Sequence, residues 1–476
     1  MKKNILIIYT DQLKRDVLGC YGGNEVSTPN IDALKEDGVI LDNFYTPSAV
    51  CTPSRGCLMT GRYPHRNGAY RNGVPVNREE HGFAEVFEQA GYHTGYLGKW
   101  HLADHKERGE KLGEYNSLGF CEWEDKVEFG HCKSIFRDNG EAIPSPNMGD
   151  DKSYTTDWLA NETIRFLKSR IGKEEPFLFM VSIPDPHQPF AVRHPYDTMF
   201  DPLKMQVPES FYQKEIPDWA ERDTWGRLHY FPRGMFEREG HFRRAKAQYL
   251  GEVKCIDDNV GKITAYLKNS GLWENTIVIF TTDHGEYLGE HGLMEKNNLY
   301  ESVYHIPMVM TLPGMSVKSQ NCKTWLNVID FGRTLAGLVD IPYLYETDGL
   351  DRSRQILDNE TSLEELYIHP SDVPRAGILT PDYELAYVGM GHCGEKFHEH
   401  VLFDCKKDPL QVNNLFNNPD YRKIQEELTE KIRVHHRMMK TPKKVFTRGG
   451  MVSILFWECV KEIDYDMNKN QYILFD

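Results

Sequence analysis

Two short pairs, Asp11-Gln12 and Asp283-His284, each follow an apolar run, residues 4–9 and Thr276–Thr282. Two carboxylates, an amide oxygen and an imidazole suit a divalent cation, provided the two loops meet. Taken singly, each pair has a plainer reading: Asp11 caps a turn, and Asp283-His284-Gly285 is a polar loop. A second set is cationic. Lys99 and His101 follow one apolar run and His187 another, Lys296 lies beyond His284, and Arg55 stands just after Cys51. A lone histidine or lysine at a strand end is ordinarily hydrogen-bonded in place or solvated. Separate loops delivering Lys, His and Arg to one face make an anion site instead.

Cys51 opens the stretch Cys-Thr-Pro-Ser-Arg-Gly-Cys-Leu-Met-Thr-Gly-Arg62. A thiol packed as a small hydrophobe needs no arginine beside it, whereas a reactive thiol, or one converted after translation, does. Cys57 keeps the reading of a packed thiol. The chain has 476 residues, ten cysteines and a net charge of −15. The charge disfavours nucleic acid and anionic membrane surfaces. The cysteines show no CxxC and no paired spacing, which excludes a disulfide framework and a structural zinc site. The first apolar run is too short for a signal-peptide core, and no small-residue cleavage site follows it. No stretch has the length of a membrane-spanning helix. These features together predict a cytoplasmic protein.

The elements that must position these residues alternate. Strands are expected at 4–9, 39–44, 94–97, 176–183 and Thr276–Thr282. Helices are expected at 27–38 (stopped by Gly38), 85–90, 158–171 and 243–268. This pattern predicts an α/β fold with a large, mostly parallel central sheet flanked by helices. Ligands in such sheets bind beyond the carboxyl ends of the strands, where four polar clusters fall. Residues 190–242, rich in proline, aromatics and charge, read as an insertion or lid within a catalytic domain spanning 1–360. Residues 361–476 read as a small C-terminal α+β domain carrying an antiparallel sheet. It has strands at 383–389 and 400–404, a helix at 421–438, and further strands near 451–460 and 472–475.

The cysteine stretch resembles the signature of the type I, formylglycine-dependent sulfatases, in the alkaline-phosphatase-like superfamily: Cys-X-Pro-Ser-Arg with a Leu/Met-Thr-Gly-Arg tail. In the order that family shows, Thr10-Asp11-Gln12, Thr28-Pro-Asn-Ile-Asp-Ala-Leu34, Gly98-Lys-Trp-His101, Pro186-His187, Thr281-Thr-Asp-His-Gly-Glu286, Gly289-Glu-His-Gly-Leu-Met-Glu-Lys296 and a C-terminal Leu402-to-Leu415 element follow. The resemblance implies an alkaline-phosphatase-like fold and a sulfuric ester hydrolase whose Cys51 becomes formylglycine (3-oxoalanine). The partner it implies for that conversion is a formylglycine-generating or an anaerobic sulfatase-maturing enzyme. It implies that Asp11, Gln12, Asp283, His284 and residue 51 hold one divalent metal, Ca2+ first, with Mn2+ or Mg2+ as alternatives. By the same resemblance Arg55 steadies the hydrated aldehyde, and Lys99 and Lys296 bind sulfate oxygens. His187 protonates the leaving alkoxide, and His101 is the base for releasing sulfate.

Gln12 and His284 stand where many members carry Asp and Asn. That combination also occurs in phosphonate monoester hydrolases and phosphodiesterases using the same formylglycine, which form the alternative reading. Lys99 and His101 favour a sulfate monoester. A catalytically silent binding protein with unconverted Cys51 is a third reading. The expected substrate is a sulfated mono- or disaccharide, with Arg71, Asn72 and His291 as candidate substrate contacts. Ordinary loop hydrogen bonding is an equal reading of those three. A homo-oligomer is compatible with the sequence.

Overall fold

The computed structural model of the chain describes residues 2–103, 116–121, 134–136, 142–144, 148–214, 217, 235–296, 299–315, 317–361, 365–369, 375–388, 399–439, 444–447, 450–453, 465–466 and 471–472. Strand β1 (Asn4–Thr10) is buried along its whole length, as a strand covered on both faces must be. It joins β2 (Gly38–Tyr45), β3 (His93–Gly98), β4 (Phe177–Ser182), β5 (Thr276–Thr282), β6 (Met308–Thr311) and β7 (Gln320–Asn327). The sheet order is β3-β4-β1-β5-β6-β2-β7. Neighbours run parallel except β6, which is antiparallel to both β5 and β2.

The register positions the chemistry. Tyr9 pairs with Ser182, Ser182 with Gly98, and Thr10 with Thr282. The segments that leave β1, β3, β4 and β5 therefore emerge at one edge, carrying Asp11-Gln12, Lys99, His187 and Asp283-His284. Along β1 successive side chains enter opposite cores. Ile5, Ile7 and Tyr9 meet Leu58, Phe83 and Phe87 on one side. Leu6 and Ile8 meet Leu159, Leu250 and Val260 on the other. The covering helices are α1 (Cys51–Thr60) and α2 (Phe83–Gln89) on the first face, and α3 (Thr155–Ser169) and α4 (Met235–Ser270) on the second.

Two expectations require correction. Residues 27–38 do not form one helix: a four-residue turn, Pro29–Asp32, passes into a 3-10 turn, Ala33–Asp37, and Gly38 opens β2 rather than stopping a helix. Glycine is required there by close approach, because a Cβ would lie 2.0 Å from the Met310 carbonyl oxygen. The long helix expected from 243 also starts earlier, at Met235, within the stretch 190–242 expected to be an insertion. The described residues of that stretch up to Lys214 form 3-10 turns and irregular chain.

Four strands, β8 (Leu366–Ile368), β9 (Arg375–Leu379), β10 (Tyr383–Val388) and β11 (Val401–Asp404), form a separate antiparallel sheet. Helix α5 (Arg422–Met438) covers one face through Leu428 and Ile432. The other face packs with Tyr45, Ala49, Tyr287 and Tyr300 of the larger unit. Short two-stranded ribbons pair Lys444–Thr447 with Gly450–Ser453 and Tyr465–Asp466 with Gln471–Tyr472. The rest of the expected tail strands, 454–460 and 473–475, lies outside the described residues.

Where α5 meets the larger unit, His65, His369, His435 and His436 gather with Tyr63. His369 stacks on Tyr63 at 3.8 Å between centroids and on His65 at 5.3 Å, and its Nε2 lies 2.8 Å from His435 Nε2. Burial lowers His65 to about 4 and His435 to about 3, and holds His369 and His436 well below 6.5. Folded pKa values below the unfolded value mean that this stability is full above about pH 6.5 and is lost as pH falls toward 4. The melting temperature is expected to decline through that window, and His65→Phe to make the decline shallower. An unchanged slope in the variant would contradict this reading.

Candidate active site

Helix α1 starts at Cys51 after an extended Val50, and Gly61 ends it in the left-handed region at φ 66°. The first N–H groups of any helix lack partners within it. Pro53 has no N–H to leave unpaired, and the Thr52 N–H donates to Asn72 Oδ1 at 3.0 Å. Cys51 thus sits at the positive end of the helix. Arg55, one turn on, falls on the same face.

Arg55 is the hub. Its Nη2 lies 2.9 Å from Asp11 Oδ2 and its Nε 3.0 Å from Asp283 Oδ2. Nη1 donates to the Lys99 carbonyl at 2.8 Å and to Ser182 Oγ at 2.9 Å. The Tyr9 ring stands 5.0 Å from its guanidinium carbon. Lys99 Nζ approaches Asp11 Oδ2 at 2.6 Å and Cys51 Sγ at 4.0 Å. All of these side chains are buried, where each charge requires a partner.

Cys51 Sγ marks the place that the oxygens of a converted residue would take. It lies 3.3 Å from His284 Nε2 and 3.8 Å from Asp11 Oδ1. Donor atoms of Asp11, Cys51, Asp283 and His284 all fall within 4.8 Å of one another. His284 Nδ1 is 2.9 Å from the Gly285 carbonyl oxygen. The neutral ring therefore keeps its proton on Nδ1 and turns the Nε2 lone pair into the cluster, the tautomer that a metal ligand needs. This donor set fits a divalent cation. Gln12, at φ 63°, presents its amide oxygen to Lys296.

The charges balance locally. Burial would raise Asp11, but Lys99, His187 and Arg55 hold it below the usual carboxylate range. Burial, then Asp11, pushes Asp283 up, the direction that a bound cation reverses. Burial and Asp11 push the Cys51 thiol to about 12, so it is no thiolate. Burial and Lys296 hold His187 well below 6.5 and His284 at about 3. His187 Nδ1 is 2.7 Å from the Gln188 carbonyl oxygen and its Nε2 is 2.6 Å from Lys296 Nζ. Buried His101 adopts φ 57°, with its carbonyl accepting from Thr52 Oγ1 at 2.8 Å.

Of the three candidate substrate contacts, Asn72 reaches the helix beside Cys51, where its Oδ1 accepts the Thr52 N–H. Asn72 caps α1. Arg71 is exposed, 6.0 Å from the Tyr70 ring. His291 is buried, stacked on Tyr300 at 3.6 Å and held 2.7 Å from Gln213 Oε1. Asn72 and His291 each have a structural partner. Residues not singled out in the sequence also build the site: Ser182 and Tyr9 around Arg55, and Glu286 and Gln188 around Gln12.

A family model described as "Sulfatase" matches residues 3–341. The chain belongs to the sulfatase family. A second model, "N-sulphoglucosamine sulphohydrolase, C-terminal", matches residues 289–438 of this sulfatase. An N-acetylglucosamine-6-O-sulfatase from Bacteroides thetaiotaomicron is 25% identical, over 90% of this chain and 85% of the relative. An arylsulfatase from Clostridium perfringens is 27% identical, over 89% and 92%. Among solved structures, BT4656 in complex with its substrate D-glucosamine-2-N,6-O-disulfate aligns with a TM-score of 0.76 at 23% identity, over 92% of this chain and 98% of that one. The phosphonate monoester hydrolase of Agrobacterium radiobacter aligns at 0.73 and 22%, over 95% and 99%. The fold is therefore the alkaline-phosphatase-like architecture shared by both enzyme types, and the activity of this sulfatase is hydrolysis of a sulfate ester. The family implies a formylglycine and a divalent metal, and the buried Asp11, Cys51, Asp283 and His284 cluster fits both.

Proposed function

We propose that this sulfatase hydrolyses a sulfate monoester on a small sugar in the cytoplasm, with residue 51 as formylglycine and Ca2+ as the cation. The observation that carries the reading is the convergence on Cys51 Sγ of His284, Asp11 and Lys99, with Lys296 bonded beside them to Gln12 and His187. The sugar class is supported by the relatives' names, which include an N-acetylglucosamine-6-O-sulfatase. A cation held by Asp11, Asp283, His284 and residue 51 would lower the pKa of a hydroxyl there and offset charge developing on oxygen.

The chain's own groups divide the remaining work. Lys99 and Lys296 hold the sulfate oxygens, and Arg55 orients Asp11 and Asp283. Burial is the first cause that depresses His187 and Lys296 the second; when sulfate oxygens take the Lys296 ammonium that second cause is offset, and the anionic ester favours the protonated form of His187. It then delivers a proton from Nε2 to the departing alkoxide. His101 is the base that acts in the second half of the reaction.

Lys99 and His101 favour sulfate monoesters over phosphonates and phosphodiesters. A panel of sulfated mono- and disaccharides against phosphate diesters and phosphonate monoesters tests the reading, and turnover confined to the phosphorus esters would contradict it. His187→Ala is expected to slow sugar sulfates by about 10²–10⁴-fold. Aryl sulfates, whose phenolate needs no proton, should lose far less. Equal losses for both classes would remove His187 from the acid role.

A further inference from the structure

The amide at position 12 raises a physical difficulty. A carboxylate offers two equivalent oxygens to a cation, whereas an amide presents its oxygen in one orientation and its NH2 in the other. Something must hold the correct end forward. Gln12 Nε2 donates to Gln188 Oε1 at 2.7 Å and to Glu286 Oε2, while Gln12 Oε1 accepts from Lys296. The flipped amide would set its NH2 against the ammonium and its oxygen against the carboxylate.

Glu286 is itself immobile. Its Oε1 accepts the N–H of Glu295 at 2.5 Å and of Leu288 at 3.1 Å, and the residue is fully buried. Gly285 permits the turn that brings it beneath Gln12, because a Cβ there would lie 2.0 Å from the Ser302 carbonyl oxygen. The Gln12 backbone is pinned as well. Its N–H donates to Asp283 Oδ1 at 3.0 Å, and its carbonyl accepts from Tyr249 at 2.9 Å. Among the described residues the recorded bonds of the Glu286 carboxylate go to Gln12, Leu288 and Glu295, so it lies one hydrogen bond behind the Gln12 amide.

We infer that Glu286 is a positioning residue for the cation site. It fixes the Gln12 amide with its oxygen forward and polarises that oxygen, so that the Gln12–Glu286 pair takes the place of a carboxylate ligand. A carboxylate behind a ligand raises that ligand's basicity, and loss of such a partner typically weakens metal binding about 10–100-fold. The inference rests on the metal reading of the site.

The test is Ca2+ titration of the full chain, stripped of metal, by calorimetry. Glu286→Gln should weaken binding about 10–100-fold. Gln12→Met should also weaken it, and adding Glu286→Gln to Gln12→Met should cost little more, because the second residue acts through the first. Gln12→Glu with Glu286→Gln exchanges the donor and acceptor and should recover most of the affinity. Additive losses, unchanged affinity in Glu286→Gln, or an exchange variant that fails to bind would overturn the inference. If Glu286→Gln does not fold, the exchange variant still decides: folded and binding supports the pairing, unfolded contradicts it. A wild-type chain binding none of Ca2+, Mg2+ and Mn2+ removes the cation site itself, and the positioning role with it.

Discussion

Cys51→Ala is expected to abolish sulfate-ester turnover, by about 10⁴–10⁶-fold as for removal of a nucleophile, while the protein stays folded. Cys51 is fully buried at the first turn of α1, and its thiol is neutral. Truncation removes one small side chain and leaves the Arg55 ion pairs intact. The melting temperature should therefore move by only about 2–4 °C. Cys51→Ser should fall with the alanine variant, because a hydroxyl at this position is not the group that maturation of a cysteine produces. A serine variant that retains a sizeable share of the activity, with the mass of its residue-51 peptide showing an unoxidised hydroxyl, would show that the residue acts without conversion.

Arg55→Ala should have the largest effect on stability. The guanidinium bonds Asp11 and Asp283 while its remaining N–H groups meet the Lys99 carbonyl and Ser182. Removing one partner of a buried charge network leaves the others uncompensated, at a cost of about 3–5 kcal/mol. Arg55→Lys should recover little, since one ammonium cannot span two carboxylates, a carbonyl and a hydroxyl in that planar geometry. Urea titration gives the comparison directly. An alanine variant within about 1 kcal/mol of wild type would mean that the two carboxylates are neutral or otherwise paired. Added Ca2+ should raise the stability of wild type through its binding site.

The sequence made the frame of the site readable because β1, β4 and β5 are nearly continuous apolar runs. Buried parallel strands place whatever follows them at one edge, so Asp11, His187 and Asp283 could be grouped before any distance was known. Helix α1 was not among the expected elements, although Cys51 and Arg55 stand one helical turn apart. Other features depend on contacts that no local pattern records. Gly38 resembled a helix stop, but the constraint on it comes from the Met310 carbonyl across the sheet. The helix expected from 243 starts at Met235 and runs through Gly240. The partners of His291 and Asn72, namely Tyr300, Gln213 and the Thr52 N–H, are remote or unmarked in the sequence. Glu286 was visible in the Asp-His-Gly-Glu motif, but its bond to Gln12 spans two loops.

The most direct test of the central claim is the mass of the peptide containing residue 51, taken from the enzyme purified from its native host and shown to cleave a sulfate ester. Formylglycine predicts a peptide lighter by the exchange of sulfur and two hydrogens for one oxygen, together with its hydrate. A fully unmodified thiol in protein that turns over sulfate esters would contradict it.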